Sequence, residues 1–242
     1  MAEPPKLPQP ADKPIQAVME EFLAEQQHRL KPATLRQYES VIQLFTACMD
    51  GYAYSALDEG ETRLYERLSR ATGAQHRDFC QIFGPEKIAD SVGEFLDYFM
   101  IRKVMCGEGL LRAAGTVMKK LGKWLCQKGY VATDEAEFMS EEGQTAARKL
   151  PAVAELRQLF EAHLDYLDAE DDEAERIEGY FRVEAVEPGN LLLSALSARD
   201  DGIEVPVPRA VSDACQEGWT LSGVVGKTGQ GWRLLQVSNV YP

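Results

Sequence analysis

Apolar residues recur at steps of three and four from Ile15 to Leu167 and at steps of two from Ile177 onward, so the chain carries a helical period followed by a strand period. Ile15, Val18 and Phe22, widened by Met19 and Leu23, predict a first helix that ends near Leu30, because Pro32 disfavours helical geometry in the residue before it. Asp12 is a candidate cap for it. Pro32 suits the first turn of a second helix carrying Leu35, Tyr38, Ile42, Phe45 and Met49 and closed by Gly51. A shorter amphipathic piece holds Leu64 and Leu68, and the segment up to Gly84 and Pro85 shows no clear period. Ile88, Val92, Phe95 and Phe99 predict a further helix, and another runs from about Gly109 to Lys128, with Gly129 placed as its terminating residue. Residues 132–150 are mostly polar and acidic, and Pro151 is expected to start a helix bearing Val153, Leu156, Phe160, Leu164 and Leu167.

In the second half, Ile177, Gly179, Phe181, Val183 and Ala185 alternate with polar residues, the pattern of a half-buried strand. Pro188-Gly189 is a turn signal before a second strand at Leu191 to Leu196. The sequence RDDG, Arg199 to Gly202, turns into a third, whose Pro206 and Pro208 mark it as an edge. A helical turn from Arg209 to Gly218 precedes strand four, Trp219 to Val225, and GKTGQG leads to strand five, Trp232 to Val240. The predicted class is α+β in two domains, a helical bundle followed by a small five-stranded β-barrel whose element order fits an OB-fold or an SH3-like barrel.

Composition refines this picture in four places. Five prolines in residues 1–14 mark a disordered tail. The acidic run Asp168 to Glu175 resembles the solvated end of a connecting helix, 151–173, or an interdomain linker, and places the barrel at 174–242. Five scattered cysteines without a C-x-x-C pair predict reduced thiols. No apolar run reaches the roughly 20 residues of a membrane span, and the proline-rich start lacks a signal peptide's apolar core, so a cytoplasmic location without membrane contact is expected.

Charge then singles out one stretch. The chain has net charge -13, yet Arg102, Lys103, Arg112, Lys119, Lys120, Lys123 and Lys128 face the single acid Glu108 between residues 102 and 128. At about 100° per residue, with Arg112 at zero, Lys119 falls near ~340°, Lys123 near ~20° and Lys120 near ~80°. Val117, Leu121, Trp124 and Leu125 occupy about 120° to 220°. One face is therefore cationic and the opposite one packs. Clustered positive charge of this kind suits the phosphate backbone of DNA, and such contacts position a protein without reading bases.

The helical half resembles the N-terminal SAM-like, core-binding domain of the phage integrase (tyrosine recombinase) family. The residues that carry the resemblance are LKPATLRQYESVIQLF at Leu30 to Phe45, EFLDYFMIRK at Glu94 to Lys103 and LGKWLCQKGYV at Leu121 to Val131, over about residues 15–150. RKLPAVAELRQLF, Arg148 to Phe160, is similar to the linker that leads into a recombinase catalytic domain. The resemblance implies a helical bundle that clamps DNA during integration and recombination. It implies phosphate contacts from Arg112, Lys119, Lys120 and Lys123, with Arg36, Arg102 and Lys103 as further contributors. The family's catalytic half does not follow: His28, His76 and His163 are the only histidines, none begins a His-x-x-Arg, and the strand-rich C-terminal region is too small. No strand cleavage is expected.

Other chemistry is thinly represented. His76 and Cys80 stand four apart without further ligands at metal-site spacing, so no metal is expected. Trp219 and Trp232 suit barrel core or strand pairing better than base stacking, because the segment from Arg176 has six basic residues against eight acidic ones. GKTGQG lacks the full phosphate-loop pattern and reads as a hairpin turn. The expectation is a non-enzymatic, cofactor-free DNA-binding protein with a barrel for protein contacts. The alternative is an adaptor or regulatory module that keeps the integrase-like shape without binding DNA.

Overall fold

The computed structural model describes residues 9–164, 175–197, 202–229 and 231–242. Most of the proline-rich tail, most of the acidic run from Asp168, the body of the RDDG turn and Gln230 of the GKTGQG loop lie outside the described residues. The chain divides into two compact units between Ala147 and Arg148. The first is all helical, and the second contains a five-stranded antiparallel curled sheet, so the class is α+β.

Helix α2 (Pro32–Tyr52) is the centre of the first unit. Tyr38, Val41, Ile42, Phe45, Cys48 and Met49 form its buried stripe, and it packs against α1 (Ile15–Gln27), α4 (Phe79–Ile82) and α6 (Glu108–Lys128). Pro32 stands in its first turn as expected, but the helix continues through Gly51 to Tyr52. Asp12 does not cap α1. The residue before that helix is Pro14, and the Ile15 amide donates to the Phe83 carbonyl at 2.9 Å. Between α2 and α4, α3 (Glu59–Ser69) begins with a reciprocal Asp58–Glu61 capping box, and Asp78 and Gln81 repeat the device at α4. Residues 79–83, in the segment without a clear period, supply Phe79, Cys80, Ile82 and Phe83 to the core. The helix expected over Ile88 to Phe99 is a 3-10 turn, Ala89–Ser91, followed by a π-helical stretch, Glu94–Phe99, that runs into α5 (Met100–Arg102); a further 3-10 turn, Pro85–Lys87, precedes it.

The helix expected to start at Pro151 starts eighteen residues earlier, as α7 (Thr133–His163), with Pro151 inside it. Its early buried positions are Ala136, Met139, Gly143 and Ala146, and all but Met139 are small residues whose weak apolar signal sits among acids. They are small because α6 crosses at backbone distance. A Cβ on Gly115 would lie 2.3 Å from the Ala147 amide nitrogen, and one on Gly143 2.5 Å from the Gly115 carbonyl.

In the second unit β1 (Glu175–Glu187), β2 (Asn190–Ala195), β3 (Ile203–Pro206), β4 (Thr220–Thr228) and β5 (Gly231–Tyr241) pair in the order β3-β2-β1-β4-β5. The sheet curls into a half-barrel that brings β3 towards β5. Phe181, Val183, Leu191, Leu193, Ile203, Val205, Leu221 and Val240 line its inner face, and Val153, Leu156 and Phe160 from the end of α7 complete the core with Val211 of α8 (Arg209–Ala214). β4 is buried on both sides from Leu221 to Gly226, and the alternation expected of β1 breaks near its end. A bulge between Val183 and Ala185 shifts the register, so Ala185 pairs with the exposed Leu192 while Val186 pairs with the buried Leu191. Ala185 therefore leaves the inward set, because one extra residue reverses the two-residue period.

Candidate nucleic-acid interface

Helix α6 is amphipathic along its whole length. Its buried residues are Leu111, Ala114, Gly115, Val117, Met118, Leu121, Gly122, Trp124 and Leu125, an arc of about 180° by helical geometry. That arc is wider than the 100° expected because Gly115 and Gly122 face α7 as well. Gly129 ends the helix in the left-handed region at φ 74°, and the Tyr130 amide reaches back to the Leu125 carbonyl. Arg112, Lys120 and Lys123 are left exposed on the opposite arc.

The other expected residues separate into three groups. Lys119 shares the face but is half-buried, and its Nζ donates to Gln144 of α7 at 2.7 Å. Arg36 is exposed near the start of α2; its neighbour Gln37 lies within 3.9 Å of a Cβ placed on Gly109, so the starts of α2 and α6 adjoin. Arg102 and Lys103 end the preceding helical stretch, four residues before α6 resumes at Glu108, and Arg102 sits 5.6 Å over the Tyr98 ring.

A second group of charges on α6 has a different role that no local pattern announces. Lys128, in its last turn, pairs with Glu25 and, at 3.2 Å, with Glu21 of α1. Glu25 also accepts from Trp124 Nε1 at 2.9 Å, and Glu21 accepts from the Tyr130 hydroxyl at 2.8 Å and from Lys13. Hydrogen bonds from Lys13, then Tyr130 and Lys128, pull the Glu21 carboxyl down to about 2, and Lys128 with Trp124 lowers that of Glu25. The same bonds raise Lys13 and Lys128. Trp124, Lys128 and Tyr130 lie about a hundred residues from these glutamates in sequence. By contrast, among the described residues none of Arg36, Lys103, Arg112, Lys119, Lys120 and Lys123 pairs with a carboxylate.

The remaining candidates take ordinary structural places. His76 is exposed and lies 3.2 Å from Asp78, whereas Cys80 is buried with its amide bound to Asp50, so the two do not converge. Among the described residues no three His, Cys, Asp or Glu side chains are grouped to hold a metal ion. Trp219 is 3% exposed in the barrel core, and Trp232 is half-buried under Lys227. Thr228 and Gly231 are paired, so the GKTGQG stretch closes the β4–β5 hairpin. A cleft of about 170 Å³ beside Cys48 and Tyr52 has its lysine, Lys87, paired with Glu61 at 2.8 Å. Burial, with a smaller effect of Glu94, pushes the Cys48 thiol up to about 12, which removes it as a nucleophile at neutral pH. Among the described residues no helix is long and apolar enough to cross a membrane. No family model matches the chain, and neither a curated protein nor a solved structure matches it.

Proposed function

We propose that this chain is a non-catalytic DNA-binding protein that holds the phosphate backbone with the cationic face of α6. The observation that carries the reading is the contrast within the helix. Lys128 is neutralised by two glutamates, while Arg112, Lys120 and Lys123 form one exposed face without a carboxylate partner among the described residues. Their charge is available to replace counterions on a polyanion. Arg36, Lys119, Arg102 and Lys103 extend the footprint in this reading. The integrase-like, SAM-like identity of the bundle belongs to the same proposal and rests on the sequence resemblance. The barrel reads as OB-like, since β1 pairs with both β2 and β4 and a helix sits between β3 and β4. Its role is protein contact.

Fluorescence anisotropy of a labelled 20-base-pair duplex, titrated with the full chain at several salt concentrations, tests the DNA reading. Log affinity is expected to fall linearly with log salt at a slope of about −0.9 per phosphate neutralised. Arg112→Glu combined with Lys123→Glu is expected to flatten that slope by about two phosphates. Absent or salt-independent binding refutes the reading. The adaptor alternative is favoured by the acidic, leucine-bearing outer face of the barrel, and it predicts no DNA binding at any salt.

A further inference from the structure

The six large apolar residues most exposed among those described are Tyr54, Met105, Phe138, Tyr180, Leu192 and Leu196, and three of them share one face. Tyr180 of β1, Leu192 of β2 and Leu196, the residue after β2, all point outward, away from the core residues Phe181, Val183, Leu191 and Leu193 that alternate with them. The bulge after Val183 helps to create this face, because it turns Ala185 out beside Leu192. A depression of about 240 Å³ lies there, lined by Ala185, Glu187, Asn190, Leu192 and Glu204. Ala185 and Leu192 are its apolar lining, and its charged groups are both carboxylates. Glu184 and Glu178 are also exposed on the outward side of β1, with Arg182 the one basic residue between them.

We infer that this face docks an extended segment of a partner protein carrying a lysine or arginine four residues before a leucine-like residue. The inference deepens the reading of the barrel as a protein-contact module and rests on it. The charge pattern selects the first anchor: a basic side chain lays its methylene stem on Leu192 and Ala185 and puts its charged end between Glu187 and Glu204. Spacing selects the second: the amide of Leu196, one residue past β2, donates to the Tyr180 carbonyl at 2.9 Å and carries the ladder on, which sets Leu196 about 13 Å from Leu192 at the usual strand rise. An extended peptide presents residues i and i+4 at that same separation and on one side. A nucleic-acid strand is repelled by the four glutamates.

The test is anisotropy of a fluorescein-labelled Gly-Lys-Ser-Thr-Ser-Leu-Gly peptide with the full chain, beside a peptide carrying glutamate in place of lysine. Binding of the lysine peptide is expected, with about tenfold weakening by Glu204→Lys and a similar loss in Leu192→Ser. Circular dichroism melts check that both variants fold. Arg112→Glu with Lys123→Glu is expected to leave peptide binding unchanged, so loss of DNA binding and loss of peptide binding are read separately. Equal binding of the glutamate peptide, or no binding of the lysine peptide, overturns the inference. Binding that ignores Glu204→Lys and Leu192→Ser overturns this surface while leaving the protein-contact reading standing. Concentration-dependent self-association abolished by Leu196→Ser assigns the face to a second copy of the chain and overturns the partner named here.

Discussion

The last two turns of α6 contain the same residue type in opposite circumstances. Lys128 is exposed but pairs with Glu21 and Glu25 beside the Trp124 ring, and it ties the end of α6 to α1. Lys123, a little over one turn earlier, projects from the same helix and meets no carboxylate among the described residues. The difference teaches that a local charge count overstates a binding surface. Of seven basic residues between 102 and 128, one is committed to holding the bundle together, one is turned towards Gln144, and one lies over Tyr98. Three on α6 are left facing outward, and Lys103 is exposed just past the end of α5.

The comparison holds only if α7 keeps α6 in this rotation, and breaking that crossing is the largest effect expected. Gly143→Ala places a Cβ 2.5 Å from the Gly115 carbonyl and 2.6 Å from the Lys119 amide, both backbone atoms with little freedom to yield. Replacing a mid-helix glycine by alanine ordinarily stabilises by up to about 1 kcal/mol. Here the sign reverses, and a loss of about 3 kcal/mol is expected in urea unfolding, since overpacking costs of this order arise where neighbours cannot move. Gly109→Ala meets nothing closer than Gln37 at 3.9 Å and should be neutral or stabilising.

Next in size is the exchange of roles along the helix. Lys123→Glu should weaken duplex binding about tenfold while leaving the melting temperature nearly unchanged. Lys128→Glu should do the reverse, lowering the melting temperature because it sets a third carboxylate beside Glu21 and Glu25. Parallel anisotropy and thermal melts on the two variants sharpen the contrast, and identical behaviour in both assays dissolves it.

The smallest effect is the pH response of the pairing network. Glu21 has its folded value near 2 against an ordinary 4.5, so its contribution is complete above about pH 4.5 and is lost as pH falls towards 2. Lys13 and Lys128 are raised, so theirs is complete below about 10.4 and lost only as pH climbs past that. The stability difference between the native chain and Glu21→Gln should therefore be constant from pH 5 to 9 and shrink below pH 4.5. Melts across that range check it. A difference that persists unchanged at pH 2.5 contradicts the network.

Much of this architecture is legible in residue order alone. The apolar stripe of α2, the packed and cationic sides of α6, the stop at Gly129 and the five strands with a short helix before the fourth all follow from local periods and turn residues, because each is set by neighbours within a few positions. The start of α7 was hidden, since Ala136, Gly143 and Ala146 carry little apolar weight and have meaning only opposite Gly115 and Gly122. The bulge that exposes Ala185 was hidden as well, because a single extra residue leaves no mark on composition. What tertiary structure alone decided is which charges remain available. The sequence by itself determined that α6 carries a positive face. The fold then neutralised Lys128 with Glu25, 103 positions away, and left Arg112, Lys120 and Lys123 without such a partner among the described residues, because electrostatic pairing depends on distance in space and not on distance along the chain.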